Sequence, residues 1–174
     1  MTILEPTEGP TGMPTEGPTQ NPSPQRGAGD GFRYLRTIRF AETDAAGVMY
    51  FANLLTLCHE AYEAALENAG FDLRLFFSRE SDVAVPIVHT SADFYQPMRC
   101  GDAIAVHLTP TQISPHTFEI RYEIHRAIHP QTQQAKTAKT QRPIATALTR
   151  HVCIDVKGRD RQPLPLKLAQ WISL

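Results

Sequence analysis

One amphipathic pattern limits the folds available to this 174-residue chain more than any other feature. Small or apolar residues recur every three or four positions from Leu54 to Ala69, which is the period of a helix with one buried face. Glutamates occupy the other side of this helix, and Gly70 follows as a typical stop signal. No second segment has a comparably strong helical pattern. The sequence therefore predicts a single long helix of about 17 residues and roughly 25 Å.

Extended segments are predicted on both sides of the helix. Residues 32–40 alternate large apolar side chains with basic ones, which is typical of a half-buried strand. The clearest of the later segments alternates apolar residues with charged or polar ones from Phe118 to His125. The four predicted strands after the helix cover residues 83–95, 102–112, 117–128 and 145–156.

The order of one strand, one helix and four strands predicts an α+β fold. An antiparallel sheet of five strands must bury one face, and the apolar stripe of the helix must be buried as well. Both requirements are met when the sheet wraps around one long central helix, which is the hot-dog fold. Another two-layer sheet with a helix on one side stays open, because periodicity alone does not give the strand order.

Residues 1–30 differ in composition from the rest of the chain. They hold six of the fourteen prolines, and Pro-Thr-Glu-Gly-Pro-Thr occurs twice, at residues 6–11 and 14–19. Such a stretch has few side chains to bury, so we expect a disordered tail ahead of one hot-dog domain at residues 31–174. Residues 127–143, rich in Gln, Thr and Lys, indicate a long exposed loop.

Charge and cysteine content argue against several classes of function. A net charge of −1 provides no concentrated basic face for nucleic acid. The three cysteines cannot all pair within one chain, and none has the C-x-x-C spacing of a zinc or redox site. The sequence has neither a signal-like start nor an apolar run of about 18 residues, so we expect a cytoplasmic protein without a membrane span.

The segment between the first strand and the helix carries the candidate chemistry. It reads Asp-Ala-Ala-Gly-Val-Met-Tyr-Phe-Ala-Asn from Asp44 to Asn53. Cleavage of a thioester needs a nucleophile or general base, and donors for the charge that develops on the carbonyl oxygen. A carboxylate just before a helix offers both, because the first helical turn has unpaired backbone N–H groups. Taken alone, Asp-x-x-Gly is more often an ordinary turn.

This segment resembles the signature of the 4-hydroxybenzoyl-coenzyme A thioesterase family of hot-dog proteins. The resemblance extends from about residue 34 to residue 156. Four further blocks, which begin at Cys58, Val85, Asp93 and His151, look like those of the cyanobacterial 1,4-dihydroxy-2-naphthoyl-coenzyme A hydrolases. Those enzymes release dihydroxynaphthoate on the way to phylloquinone. The resemblance implies an acyl-CoA thioesterase for that substrate, with 4-hydroxybenzoyl-CoA or another aryl thioester as the alternative.

The same resemblance implies roles for individual residues. Asp44 matches the catalytic aspartate, which acts either as the nucleophile or as the base that activates water. The backbone N–H of Phe51 matches the donor to the thioester carbonyl oxygen. Contacts with the substrate are implied for Gly47, Val48, Phe51, Ser114, His116 and Thr117. No metal or prosthetic group is implied, and coenzyme A enters only as part of the substrate.

Other residues offer competing interpretations. Glu60 and Glu63 lie on the helix, where another hot-dog group places its catalytic carboxylate, but glutamates on a polar helix face are usually solvated or paired. His89 and His151 lie in apolar strand segments, where histidines are more often hydrogen-bonded core or interface residues than ligands. Cys58 lies on the buried stripe of the helix, a position typical of packing.

Two other functions stay open, and one quaternary structure is implied. A hydratase of the same fold needs an Asp-x-Asn-Pro-x-His arrangement, which the sequence lacks. A non-catalytic module that binds acyl thioesters would keep the fold without turnover. One small sheet also leaves an edge strand exposed. Because hot-dog proteins pair sheet to sheet, the resemblance implies a homotetramer, a dimer of dimers, with active sites between subunits.

Overall fold

A computed structural model of the chain describes residues 25–26, 32–127 and 142–173. The helices are α1 (Asn53–Asn68), α2 (Leu73–Phe76) and α3 (Leu166–Ile172), and one 3-10 turn spans Phe40–Glu42. The strands are β1 (Gln25–Arg26), β2 (Phe32–Thr37), β3 (Val83–Ala84), β4 (Ile87–Phe94), β5 (Ala103–Ser114), β6 (Thr117–Arg126), β7 (Ala145–Val152) and β8 (Ile154–Asp155).

The main sheet is antiparallel throughout, with the strand order β1-β2-β5-β6-β7-β4. Strands β6 and β7 alternate buried residues with more exposed ones over most of their length, and the two residues of β1 pair with the start of β2. β3 and β8 form a separate two-stranded sheet. A five-stranded sheet packed around α1 confirms the predicted α+β hot-dog fold.

The core lies between α1 and one face of the sheet. α1 buries the stripe that the sequence predicted, and its buried residues are Leu54, Leu57, Cys58, Ala61, Tyr62, Ala65 and Leu66. β6 faces this stripe with Phe118, Ile120, Tyr122 and Ile124. Burial of each large apolar side chain contributes about 1.5–3 kcal/mol, so this contact holds the helix along the sheet.

Two predicted strands are interrupted, and two short helices were not predicted. Pro86 separates β3 from β4, because proline has no N–H to donate to a neighbouring strand. Cys153 lies between the end of β7 and the start of β8. Helices of four and seven residues, α2 and α3, are too short to form from helical propensity alone and depend on packing. α3 buries Leu168 and Trp171 against the core.

Two predicted irregular regions fall largely outside the described residues. Of the predicted tail at residues 1–30, only Gln25 and Arg26 are described, as strand β1. Residues 128–141 of the predicted loop are likewise not described. Within the described ranges, no helix has both the length and the apolar character needed to cross a membrane.

β4 forms one edge of the main sheet, beside β7. All eight of its residues are exposed, although Ile87, Val88 and Phe94 are large apolar side chains. Its first residue pairs with His151 and its last with Ala145, so β4 runs the full length of the sheet. The two ends of β4 border two different cavities, which are described below.

Candidate active site

Asp44 lies in a small closed loop between the 3-10 turn and α1. Its backbone N–H donates to the Val48 carbonyl at 2.9 Å, and its carbonyl accepts from the Gly47 N–H at 2.9 Å. Gly47 has a φ of +73°, a conformation that residues with a side chain rarely adopt. A glycine is therefore needed to close the loop, which a bridge between Thr43 and Met49 completes.

The two oxygens of the Asp44 carboxylate have different surroundings. Oδ1 accepts a hydrogen bond from the Ala46 N–H at 2.8 Å. Oδ2 has no donor among the described residues, and the residue is exposed. One oxygen thus fixes the orientation of the carboxylate, and the other is free to attack a carbon atom or to take a proton.

The start of α1 presents unpaired backbone donors beside this loop. The Asn53 N–H donates to the Tyr50 carbonyl at 2.9 Å. Within the described parts of the chain, the N–H groups of Phe51 and Ala52 find no acceptor. Because the positive end of the helix dipole lies at the same place, these N–H groups can stabilise a developing negative charge. The Phe51 side chain is 65% exposed, so its ring is not what anchors this turn.

Asp44 and this turn border a cleft of about 350 Å³. Its lining residues are Asp44, Val48, Met49, Phe51, Phe94, Tyr95, Gln96, Pro97 and Met98. The Met49 N–H donates to the Met98 carbonyl at 2.7 Å, which joins the two walls of the cleft. Three of the predicted site residues, Asp44, Val48 and Phe51, therefore come together, while Gly47 shapes the loop beside them.

A larger cavity of about 590 Å³ lies at the other end of β4. Its lining residues are His59, Tyr62, Glu63, Phe76, Phe77, Ser78, Ala84, Val85, Pro86, Ile87, His151, Ile154, Val156 and Arg159. The walls are mainly apolar and aromatic, which is typical of a site for an aromatic ligand. The sequence pattern did not indicate this cavity, because α2, β3 and β8 build much of it and were not predicted as separate elements.

His151 lies buried in the wall of the larger cavity. Its Nδ1–H donates to the Val85 carbonyl at 3.1 Å, which leaves Nε2 to accept from the Thr149 hydroxyl at 2.9 Å. The Tyr122 hydroxyl in turn lies 3.2 Å from that of Thr149. Burial lowers the pKa of His151, so the imidazole is neutral. The residue is a hydrogen-bonded core histidine, as the sequence indicated, and its ring stacks on Phe118 at 4.6 Å.

The competing carboxylates on α1 have contrasting partners. Glu60 accepts from the Arg36 guanidinium at 2.5 Å and from the Tyr34 hydroxyl at 3.4 Å, so it is engaged in an ion pair. Glu63 is exposed and borders the larger cavity. Burial raises the pKa of the Cys58 thiol to about 12, which keeps this cysteine protonated and inert at neutral pH.

Three further residues with implied substrate contacts, Ser114, His116 and Thr117, lie in the β5–β6 hairpin. The His116 carbonyl accepts from the Cys153 N–H at 2.8 Å, so the hairpin lies at the larger-cavity end of the sheet. Arg126, at the far end of β6, contacts the Pro97 carbonyl at 2.9 Å beside the Asp44 cleft. The length of β6 separates these two ends by about 30 Å. One chain therefore does not bring the hairpin to Asp44.

Metal binding has no support in the described residues. Nowhere in residues 25–26, 32–127 and 142–173 do three or more His, Cys, Asp or Glu side chains form a group that could hold a metal ion. The chemistry that this cleft can perform on its own is that of a carboxylate and of backbone donors.

Comparison with known proteins gives a consistent family match. Residues 38–172 match the model of the thioesterase-like superfamily. The chain is 48% identical over 139 residues to a 1,4-dihydroxy-2-naphthoyl-CoA hydrolase of Crocosphaera subtropica, covering 80% of this chain and 93% of that protein. The corresponding hydrolase of Nostoc punctiforme is 47% identical over 142 residues, with coverage of 82% and 86%.

Solved structures agree with these sequence matches. A 1,4-dihydroxy-2-naphthoyl-CoA thioesterase from Synechocystis superposes with a TM-score of 0.70 at 40% identity, covering 82% of this chain and 95% of that one. A gentisyl-coenzyme A thioesterase superposes with a TM-score of 0.64 at 19% identity, covering 80% and 98%, and supports the fold alone.

Proposed function

The chain belongs to the thioesterase-like superfamily, and we propose that it hydrolyses 1,4-dihydroxy-2-naphthoyl-CoA to 1,4-dihydroxy-2-naphthoate and coenzyme A, a step of phylloquinone biosynthesis. Relatives with this name align over most of both chains. The main support is one observation: a single cleft contains Oδ2 of Asp44 and the N–H of Phe51, and neither group has a hydrogen-bond partner among the described residues. These are the two groups that hydrolysis of a thioester requires.

Two routes fit these groups. Oδ2 of Asp44 attacks the thioester carbonyl carbon and expels the coenzyme A thiolate, and water then hydrolyses the resulting mixed anhydride. Alternatively, Oδ2 takes a proton from a water molecule that attacks the same carbon. In both routes negative charge develops on the carbonyl oxygen, and the Phe51 N–H, at the positive end of α1, donates to it. In the overall balance of both routes, one water molecule supplies one oxygen atom, and the coenzyme A thiolate takes up a proton from that water.

We propose that the active protein is a homotetramer assembled as a dimer of dimers. The exposed apolar residues of β4 support pairing of this edge with the same edge of a second copy. A two-fold axis that lies midway between the two edge strands makes the two copies of β4 antiparallel. With pairing centred near Thr90 and Ser91, Ile87 of one copy lies next to Phe94 of the other.

This arrangement would form each active site from two subunits. Phe94 borders the Asp44 cleft, and Ile87 borders the larger cavity. Within one chain the two ends of β4 are about 23 Å apart, too far for a ring bonded directly to the thioester carbonyl. Across the dimer, the Asp44 cleft of one copy and the larger cavity of the other become neighbours. A substrate whose thioester lies at Asp44 would therefore place its aromatic ring towards the partner's larger cavity. The partner's hairpin, with its copies of Ser114, His116 and Thr117, approaches the same end.

The site and the cysteines support two further assignments, one of family branch and one of cellular location. The Asp44–Asn53 segment supports membership of the 4-hydroxybenzoyl-coenzyme A thioesterase branch of the superfamily. The three cysteines are all free, as in proteins of reducing compartments, and this supports a cytoplasmic location.

The test is release of free thiol from 1,4-dihydroxy-2-naphthoyl-CoA, 4-hydroxybenzoyl-CoA and hexanoyl-CoA by the wild type and by Asp44→Asn. Asp82→Asn, an exposed aspartate outside both cavities, is the matched control. We expect preference for the naphthoyl thioester, loss of activity in Asp44→Asn and full activity in Asp82→Asn. Preference for the benzoyl thioester would favour the aryl alternative. Binding without cleavage of any substrate would favour a binding module and refute hydrolysis.

A further inference from the structure

We infer that Arg36 is a positioning residue for hydrolysis, because it fixes the Asp44 loop to α1. Arg36 lies on β2 and contacts two carboxylates: Glu42, in the 3-10 turn before the loop, and Glu60, on α1. We call these three residues the Arg36 cluster. The inference rests on the proposed function of Asp44, but it assigns a role to residues that contact neither the substrate nor the cleft.

The strand places Arg36 on the side of the sheet that faces the helix. Phe32 and Tyr34 pack against the core, and Arg36 follows Tyr34 at the spacing that keeps side chains on one face of a strand. The Arg36 side chain is only 16% exposed. A cation in this setting is stable only with paired anions, and Glu42 and Glu60 supply them.

Glu42 connects Arg36 to the turn that contains the Phe51 N–H. One carboxylate oxygen contacts Arg36, and the other accepts from the Arg39 N–H at 2.7 Å. Its carbonyl accepts from the Tyr50 N–H at 2.8 Å and from the Asn53 side-chain amide at 3.0 Å. We call residues 50–53, which include the Phe51 N–H, the donor turn. Glu42 is hydrogen-bonded to both ends of the donor turn and is only two residues from Asp44.

Loss of Arg36 should therefore move Asp44 relative to the Phe51 N–H. Without the guanidinium, Glu42 and Glu60 lose the cation that they share and repel each other. The turn at Glu42 then loses its side-chain contact with β2, although the bonds within the Asp44 loop persist. A displacement of about 1 Å between a nucleophile and an oxyanion donor can lower the rate by about 100-fold, while binding of the rest of the substrate changes little.

The experiment compares Arg36→Gln, Arg36→Lys, Glu42→Gln and Glu60→Gln with Arg150→Gln as the matched control. Arg150 pairs with Glu119 on the opposite face of the same sheet. For each purified variant, kcat and KM for 1,4-dihydroxy-2-naphthoyl-CoA are measured together with the melting temperature. Because kcat and KM are determined on folded protein, a general loss of stability is separated from a loss of positioning.

We expect Arg36→Gln to lower kcat by about 10-fold to 100-fold with KM changed less than about 2-fold. Arg36→Lys should recover part of kcat, because it restores the charge without the second contact. Glu42→Gln should lose more kcat than Glu60→Gln, since only Glu42 touches the donor turn. Arg150→Gln should keep the kcat of the wild type.

An unchanged kcat in Arg36→Gln or Glu42→Gln would overturn the inference, and so would equal losses in Glu42→Gln and Glu60→Gln. If Arg36→Gln does not fold, Arg36→Lys and the comparison of the two glutamate variants still decide the question. A wild type that cleaves no thioester would instead refute the proposed function, so the two failures are distinguishable.

Discussion

Mixing two inactive variants should restore activity if each active site is shared between two subunits. Asp44→Asn removes the carboxylate that we propose to be catalytic. Ala84→Trp places an indole ring in the larger cavity, which Ala84 lines, and leaves Asp44 intact. If Ala84→Trp does not fold, Ser78→Trp blocks the same cavity from another element. Each variant alone forms dimers in which both sites are defective, so neither should hydrolyse the substrate.

The expected recovery follows from counting sites. Random pairing of equal amounts of two chains makes about half of the dimers mixed. In a mixed dimer both defects fall in one site, and the other site combines an intact Asp44 with an intact cavity. About one quarter of all sites are then active, so coexpression should give about one quarter of the wild-type kcat per subunit.

A second mixture distinguishes active sites shared between two chains from active sites that lie within one chain. Wild type coexpressed with the double variant, Asp44→Asn combined with Ala84→Trp, retains about one quarter of the sites if they are shared. It retains about one half if each site lies within one chain. No recovery in the first mixture, together with one half in the second, would refute the two-subunit site and the antiparallel pairing of β4. The assay in every case is the release of coenzyme A thiol.

Three further predictions follow from the site and the fold. Phe51→Pro should lower kcat by about 100-fold or more because it removes the N–H donor, whereas Phe51→Leu should keep most of kcat; equal activities would exclude that donor. Val88→Lys should give inactive monomers in sedimentation velocity, because it charges the exposed edge of β4; an active dimer would contradict pairing there. Because burial lowers the pKa of His151, the unfolded chain binds a proton more readily than the folded chain on acidification. The free energy of unfolding should therefore be highest above about pH 6.5, the ordinary pKa of histidine, and should fall below that pH by at most about 1.4 kcal/mol per pH unit. Urea denaturation from pH 7.5 to 5 should show a flatter profile for His151→Phe; parallel profiles would exclude this residue as the cause.

The fold was predictable because its signals are periodic and strong. The stripe on α1 and the alternation in β6 both appear in the sequence and both reach the core. Strand ends and small elements were not predictable in this way. α3 has only seven residues, and Trp171 stabilises it through tertiary packing that no local pattern reports. The break at Pro86 does have a local signal, the missing N–H of proline, and it could have been used.

The grouping of Asp44 with Phe51 was predictable from the sequence, and the residues that surround them were not. Asp44 and Phe51 were identified through a resemblance, and the structure brings both to one cleft. The Arg36 cluster was missed because residues 32–40 were interpreted as a simple alternation of apolar and basic residues. In fact Tyr34 and Leu35 are consecutive apolar residues, which interrupts the alternation. Arg36 follows Tyr34 by two residues, so its side chain lies on the helix-facing side of the strand, as that of Tyr34 does. A basic residue on the apolar phase of a strand is a signal for a buried ion pair.

Hydrogen-bonding partners, rather than sequence position, distinguish the acidic residues around the start of α1. Glu42 and Glu60 share Arg36, so both carboxylates are held in ion pairs and neither is free to attack a substrate. Glu63 is exposed but lies at the larger cavity, away from the helix N-terminus. Asp44 alone among these four combines an oxygen without a donor in the described residues with adjacent unpaired backbone N–H groups. Because these N–H groups belong to the turn that Glu42 holds, the paired carboxylates help to position the groups that we propose for the reaction at Asp44.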